Sequence, residues 1–351
     1  MYVEFRVKNF RGFQDLTVGS LGRVNLIAGK NNVGKTALLE ALWLHHGPFN
    51  PELGFRVNRF RGIRELNTDQ PLIELFNRLK IDAPIEMFSL SSTGEKSSGR
   101  IYLREPSRMP IKSEKDKEFL EPSTASLMSF GKEVVIEYTD ELGKSKQSVA
   151  SFTKDEIRFE RQAIKGRSSA RFLLAKREMG PDDISGFSDL EIRGLKAKTI
   201  ELAQLIEQRL KDLTIIVRGG IPSIWGDIGI GTLLPLQVMG DGLGRWLLLV
   251  QAIQRSLGGM VLIDEIENGL HYSVMVDIWR NLALLARQYN VQLFATTHSA
   301  ECVRSAHKAF TDIDRSDFKF HRLEDIKGTI QVVSYDWETL GAALDTHLEF
   351  R

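Results

Sequence analysis

The segment 29–44, GKNNVGKTALLEALWL, constrains this chain more than any other stretch. Gly29, Gly34, Lys35 and Thr36 stand at the spacing G-x-x-x-x-G-K-T of a phosphate-binding loop. The apolar run 24–28 just before it predicts a buried strand. Leu38, Leu39, Ala41, Leu42 and Trp43 predict the apolar face of a helix that runs to about His46. Strand, glycine loop and helix form the context that such a loop needs. Glycine lets the backbone turn tightly and aim several N–H groups at one anion, and the helix start adds a partial positive charge. Gly29, Asn31, Asn32, Gly34, Lys35 and Thr36 are therefore the candidate nucleotide contacts. Lys35 is expected to reach the β- and γ-phosphates and Thr36 to hold Mg²⁺. A chance glycine turn before an ordinary helix would leave the same letters; the flanking strand and helix favour nucleotide binding.

Two further apolar strands are predicted to end in chemistry. Residues 260–263 (MVLI) form a run of the buried parallel type and lead into Asp264 and Glu265. Residues 291–295 form another and lead into Thr296, Thr297 and His298, with a helix expected at 272–287 between the two strands. In a parallel sheet the carboxyl ends of the strands share one edge with the phosphate loop. Mg²⁺ needs hard oxygen ligands, and Thr36 and Asp264 offer two. Glu265 can orient or deprotonate an attacking water, and His298 can hydrogen-bond a γ-phosphate. Singly, the acidic pair could cap a turn and His298 could be a core histidine. Their order and their strand-end positions favour a joint catalytic role for Glu265, His298 and Lys35.

A chain of 351 residues suits two lobes, with 42% hydrophobic and 26% charged residues in the ordinary range for a globular protein. A formal net charge of +1 gives no global basic excess for wrapping nucleic acid, although a local basic face remains open. A single cysteine, Cys302, excludes an intrachain disulfide and fits a cytoplasmic location. The start MYVEFRVKNF has no apolar signal core, and no run approaches the roughly 18 apolar residues of a membrane span, so no membrane role is expected.

The pattern divides the chain into a core, 1–47 with 235–351, and an inserted α+β lobe, 48–234. In the core, strands are expected at 2–8, 13–18, 318–323 and 330–336, with a closing helix at 337–347. The adjacent His45 and His46 lack the ligand set of a metal site and suit a helix end at Gly47 and Pro48. In the lobe, 112–121 predicts a solvated loop, and 133–139 with 145–152 a hairpin around Gly143. Arg158, Arg161, Lys165, Arg167, Arg171, Lys176 and Arg177 form a basic stretch diluted by Asp155, Glu156, Glu160 and Glu178. It suits a solvated helix surface, or a face for nucleic acid or an acidic partner. Residues 190–213 keep a 3-4 apolar spacing and predict one helix of roughly 35 Å, a short coiled-coil arm or a helix packed on the lobe. Strands are expected at 214–217 and 233–238, joined by a glycine-rich link.

FRVKNFRGFQDLTV, NNVGKT, LIDEIENGLH and TTHS resemble the ABC-type ATPases of the SMC, RecF and OLD group, over about 1–46 and 235–305. The resemblance implies an α/β P-loop NTPase with an ABC-ATPase head, built on a mixed, largely parallel sheet flanked by helices. It implies ATP as ligand and a homodimer or higher homo-oligomer. Segment 240–245, with candidates Gly240, Gly242 and Arg245, would be the signature that meets the γ-phosphate of the opposite monomer. Its sequence MGDGLGR departs from the group's Ser-Gly-Gly pattern. Segment 267–271 would couple the monomers, and Arg11 would approach the nucleotide. No glutamine is placed as the Q-loop residue, although Gln147 is available. The layout looks most like the stand-alone OLD-like ATPases of prokaryotic defence systems, which work with a separate TOPRIM-type nuclease or similar effector. About 50 residues follow His298, too few for a TOPRIM domain, and Asp312 and Asp314 sit in a polar connector, so the chain is not expected to cut DNA itself. The implied function is an ATPase that dimerises around two ATP molecules and controls such a partner. The alternatives are a RecF-like repair ATPase that clamps DNA, and a scaffold that binds ATP with little hydrolysis.

Overall fold

The structure is a computed structural model that describes residues 1–47, 50–63, 69–106, 131–140, 142–152, 156–160 and 169–345. The expected loop at 112–121 and residues Asp155, Arg161, Lys165 and Arg167 of the basic stretch lie outside these.

β1 (Tyr2–Phe10) and β2 (Phe13–Val18) form an antiparallel hairpin. β3 (Val24–Gly29) follows, buried along its whole length, and α1 (Lys35–His46) starts directly after the glycine loop. After α2 (Glu52–Phe60) come β4 (Ile85–Ser91), β5 (Lys96–Arg104), β6 (Glu133–Thr139), β7 (Ser145–Phe152) and β8 (Ile157–Glu160). These extend the first hairpin into a seven-stranded antiparallel sheet in the order β2-β1-β4-β5-β6-β7-β8. The expected hairpin at 133–152 is β6 with β7.

The second sheet has six strands in the order β16-β15-β3-β14-β13-β9. Here β9 is Ala170–Leu173, β13 Met260–Ile263, β14 Gln292–Thr296, β15 Phe318–Ile326 and β16 Thr329–Tyr335. All neighbours run parallel except β15 and β16, so the sheet is mixed and largely parallel. Both faces are covered. Leu26, Val261, Ile263, Leu293 and Ala295 face a core shared with α5 (Asp241–Gln254), α6 (Met275–Gln288), α7 (Ala300–Thr311) and α8 (Trp337–Asp345). Ile27, Met260, Leu262 and Phe294 face the other core, where α1 packs between this sheet and the antiparallel one. Alternate residues of each strand thus serve opposite cores, which is why these strands read as continuous apolar runs. β9 comes from inside the segment 48–234 and ties it directly to the parallel sheet.

Several expectations are corrected. Residues 190–213 are not one helix, and no coiled-coil arm exists there. α3 (Pro181–Ile192) stops, α4 (Lys196–Ala203) is a separate short helix, and 212 already lies in β10 (Asp212–Arg218). Gly194 is the reason. It adopts φ 72°, with Gly194 N–H donating to Glu191 and Leu195 N–H to Leu190, which is a Schellman C-cap. The link after 217 holds a strand of its own, β11 (Ile221–Asp227), which pairs with β10 and with β12 (Leu234–Pro235). Residues Leu236–Val238 turn as 3-10 helix rather than strand, and α7 was not foreseen. Of the described basic residues, Arg158 lies in β8 and Arg171 in β9, and Lys176 and Arg177 follow in irregular chain, so none sits on a helix surface.

Candidate functional site

The carboxyl ends of β3, β13 and β14 are adjacent in the sheet and bring the three distant motifs together. Gly34 begins α1 at φ 93°, and a Cβ there would lie 2.7 Å from the Phe13 ring, so only glycine fits. Asn32 sits at φ 66°, a left-handed conformation that asparagine tolerates. Lys35 Nζ donates to the carbonyls of Gly29 (2.8 Å) and Lys30 (2.9 Å), folded over the mouth of the loop. Burial lowers the Lys35 pKa, and the carboxylates of Asp264, Glu265 and Glu267 act against that.

Thr36 Oγ1 donates to both carboxylate oxygens of Asp264, at 3.1 Å each. Asp264 Oδ1 also accepts from Thr296 Oγ1 at 2.7 Å. Thr296 Oγ1 in turn accepts from the Glu265 backbone N–H at 2.8 Å. That contact fixes a strained residue: Glu265 has φ 46°, a left-handed conformation rare for a side chain without a local polar reason. His298 Nδ1 lies 3.7 Å from Glu265 Oε1 and 3.5 Å from Glu267 Oε1. Glu267 Oε1 accepts from Thr297 Oγ1 at 2.9 Å and from the His298 N–H at 3.2 Å, which holds the segment after β14 against the segment after β13. Thr296 carries no expected site role, and Glu267 is expected only as the start of the coupling segment 267–271. The one visible signal was their place beside the strand-end motifs.

The expected signature residues stand at the start of α5: Gly240 caps it and Gly242 is in its first turn. Arg245 departs from its expected role. It is 6% exposed, and its guanidinium donates to the carbonyls of Leu174 (2.7 Å) and Asp264 (2.9 Å) of its own chain. Its two terminal nitrogens are thus committed to the backbone, while its buried Nε has no partner among the described residues. Burial lowers its pKa, and Asp264 is the first of the carboxylates opposing that. Arg11 donates to Glu40 at 3.1 Å and to the Glu74 carbonyl at 3.2 Å. Gln147 lies on β7 beside Glu137 and Tyr102, in the antiparallel sheet. His45 is a buried histidine bonded to Ser89 and Ser97, and the described residues hold no cluster of three or more His, Cys, Asp or Glu suited to a metal.

The donor set fits MgATP. Thr36 and Asp264 place hard oxygens together, and Mg²⁺ is normally held by one or two such protein ligands plus phosphate and water. The loop backbone, Lys35 and the start of α1 suit the phosphates. No described helix is long and apolar enough to cross a membrane.

Comparison with known proteins agrees with this geometry. Residues 24–304 match the family model described as "AAA domain, putative AbiEii toxin, Type IV TA system". The match spans well over half of the chain, and the chain belongs to this family. Its fold is that of a P-loop NTPase, shared with the solved SMC heads described below. An "ATP/GTP phosphatase" of Helicobacter pylori is 25% identical over 333 residues, covering 90% of each protein. Two solved SMC heads share the fold. One, bound to the C-terminal winged-helix domain of ScpA, has a TM-score of 0.51 at 12% identity and covers 97% of this chain and 99% of its own. The other, from Pyrococcus furiosus with an extended coiled coil, has a TM-score of 0.52 at 10% identity and covers 99% of each.

Proposed function

We propose that this chain hydrolyses ATP to ADP and phosphate, and that two copies close head to tail around two ATP molecules to control a separate effector. The observation that carries the reading is the Thr36–Asp264–Thr296–Glu265 chain of contacts at the edge where the phosphate loop opens. Thr36 and Asp264 would hold Mg²⁺, which neutralises phosphate charge when bound. Asn31, Asn32 and Lys35 would bind and orient the phosphates. Glu265, placed by the left-handed turn, would orient a water and take its proton. His298, beside Glu265 and Glu267, would hydrogen-bond the γ-phosphate.

The second copy would supply the start of its α5, where Gly240 lines one pocket with Asn268 and Gly269 and Gly242 packs close to the Gly269 carbonyl. Arg245 would act from within its own chain by fixing the Asp264 carbonyl. The relative named as an ATP/GTP phosphatase supports hydrolysis. The toxin–antitoxin wording of the family supports a place in prokaryotic anti-phage defence, as an OLD-like ATPase with a TOPRIM-type nuclease or similar partner, in the cytoplasm. With Glu265→Gln, which preserves binding while slowing hydrolysis, light scattering in MgATP should register twice the monomer mass. A monomer at saturating ATP would overturn the dimer.

A further inference from the structure

A second cationic site lies at the opposite end of the parallel sheet. Arg255 caps the carboxyl end of α5, the end away from Gly240, just ahead of β13. Arg171 stands in β9, the strand at the edge of the sheet beside β13. Arg193 caps the carboxyl end of α3. With Asp189 and Ile192 these three arginines line a pocket of about 390 Å³.

The pocket carries three guanidinium groups and one carboxylate. Arg255 is held in place: it donates to the Asp182 carbonyl at 3.0 Å and lies 3.6 Å from Asp189. Its guanidinium packs against Gly186 of α3, where a Cβ would come within 2.1 Å of it. Arg193 reaches the Gln254 carbonyl at 3.5 Å, a long contact that leaves donors over. Arg171 Nε is buried and has no hydrogen-bond partner among the described residues. The nearby Asp183, whose carboxylate already takes two contacts from Arg177, offsets this excess only in part. Burial, and next the charge of Arg255, lower the Arg171 pKa, with Asp183 acting against them.

Guanidinium forks match the oxygens of a phosphoryl group, and buried donors without partners are costly unless a ligand meets them. The described lining residues include no aromatic ring to stack a base. Asp182, Asp189 and Glu191 are exposed around it, and they would repel a long polyanion more than a compact one. We propose that this pocket binds a phosphate-bearing small molecule, its phosphoryl group held between Arg171, Arg193 and Arg255, as a site separate from the ATP site. The proposal uses part of the basic stretch that the ATP site leaves unused, and it stands whether or not the chain hydrolyses ATP.

Inorganic pyrophosphate is the probe, in full-length protein carrying Lys35→Ala to suppress its binding at the phosphate loop. Calorimetry should detect one site, weakened about tenfold or more by Arg171→Gln and by the exposed Arg193→Gln, as expected when a charge-assisted contact is removed. Arg193→Gln in an otherwise natural chain should leave ATP turnover unchanged. Absence of pyrophosphate binding, or an affinity in both arginine variants equal to that of the Lys35→Ala parent, would overturn the site. If Arg171→Gln fails to fold, Arg193→Gln decides alone. A short duplex DNA forms the second arm: DNA that displaces pyrophosphate, and that Arg193→Gln also weakens, would reassign the pocket to a nucleic-acid backbone.

Discussion

Thr296 shows how one hydroxyl can organise a site. It donates to the Asp264 carboxylate and accepts from the Glu265 N–H, so it fixes both members of the acidic pair. Thr296→Val keeps the shape and removes both contacts. It leaves the N–H of a strained residue unpaired, at a cost of about 1–3 kcal/mol. ATP turnover should fall by roughly tenfold or more, since about 1.4 kcal/mol of barrier is tenfold in rate. ATP affinity should change little, because Lys35 and the loop are untouched. Steady-state kinetics separates the two, and an unchanged turnover rate would remove Thr296 from the site. Lys35, Thr36, Asp264 and Glu265 were legible in the sequence because each belongs to a motif with fixed spacing. Thr296 was not, because its role depends on β14 lying beside β13, a contact between residues distant along the chain. Arg245 was misread for a related reason: its position in the segment was visible, but the direction of its side chain was not.

At the scale of elements, the buried parallel strands and α1 were legible because apolar runs next to glycine turns leave few alternatives. Residues 190–213 were not. Their 3-4 apolar spacing continues through Gly194, so periodicity alone reads one helix where the chain caps, turns and starts again. The left-handed φ of Gly194 decides the matter. A Cβ there meets nothing within 4 Å, so the effect of Gly194→Ala comes from backbone conformation alone. The variant should lose about 1–2 kcal/mol, the usual penalty for an L-residue held left-handed. Urea unfolding reads it directly. Stabilisation instead would mean that the helix runs through, because alanine favours a helix interior over glycine by about 1 kcal/mol. β11 was hidden by the glycines that make its hairpin turn: Gly219 and Gly220 read as a link and are in fact the corner between two paired strands.

Across the whole molecule, two sheets enclose α1, and the helices α5 to α8 cover the far face of the parallel one. This arrangement sets the end of α1 that carries Lys35 and Thr36 against the carboxyl ends of β13 and β14. The antiparallel sheet adds Phe13, which closes over Gly34. The segment 48–234 takes part in both sheets, through β4–β8 and through β9, which composition alone did not indicate. The central claim is that this edge hydrolyses ATP with Glu265 as the group that activates water. Phosphate release in MgATP tests it most directly, comparing the natural chain with Glu265→Gln while nucleotide binding is followed in parallel. The account predicts steady release from the natural chain, a fall of about 10²–10⁴-fold in the variant and undiminished ATP binding. Equal release from both proteins would contradict it.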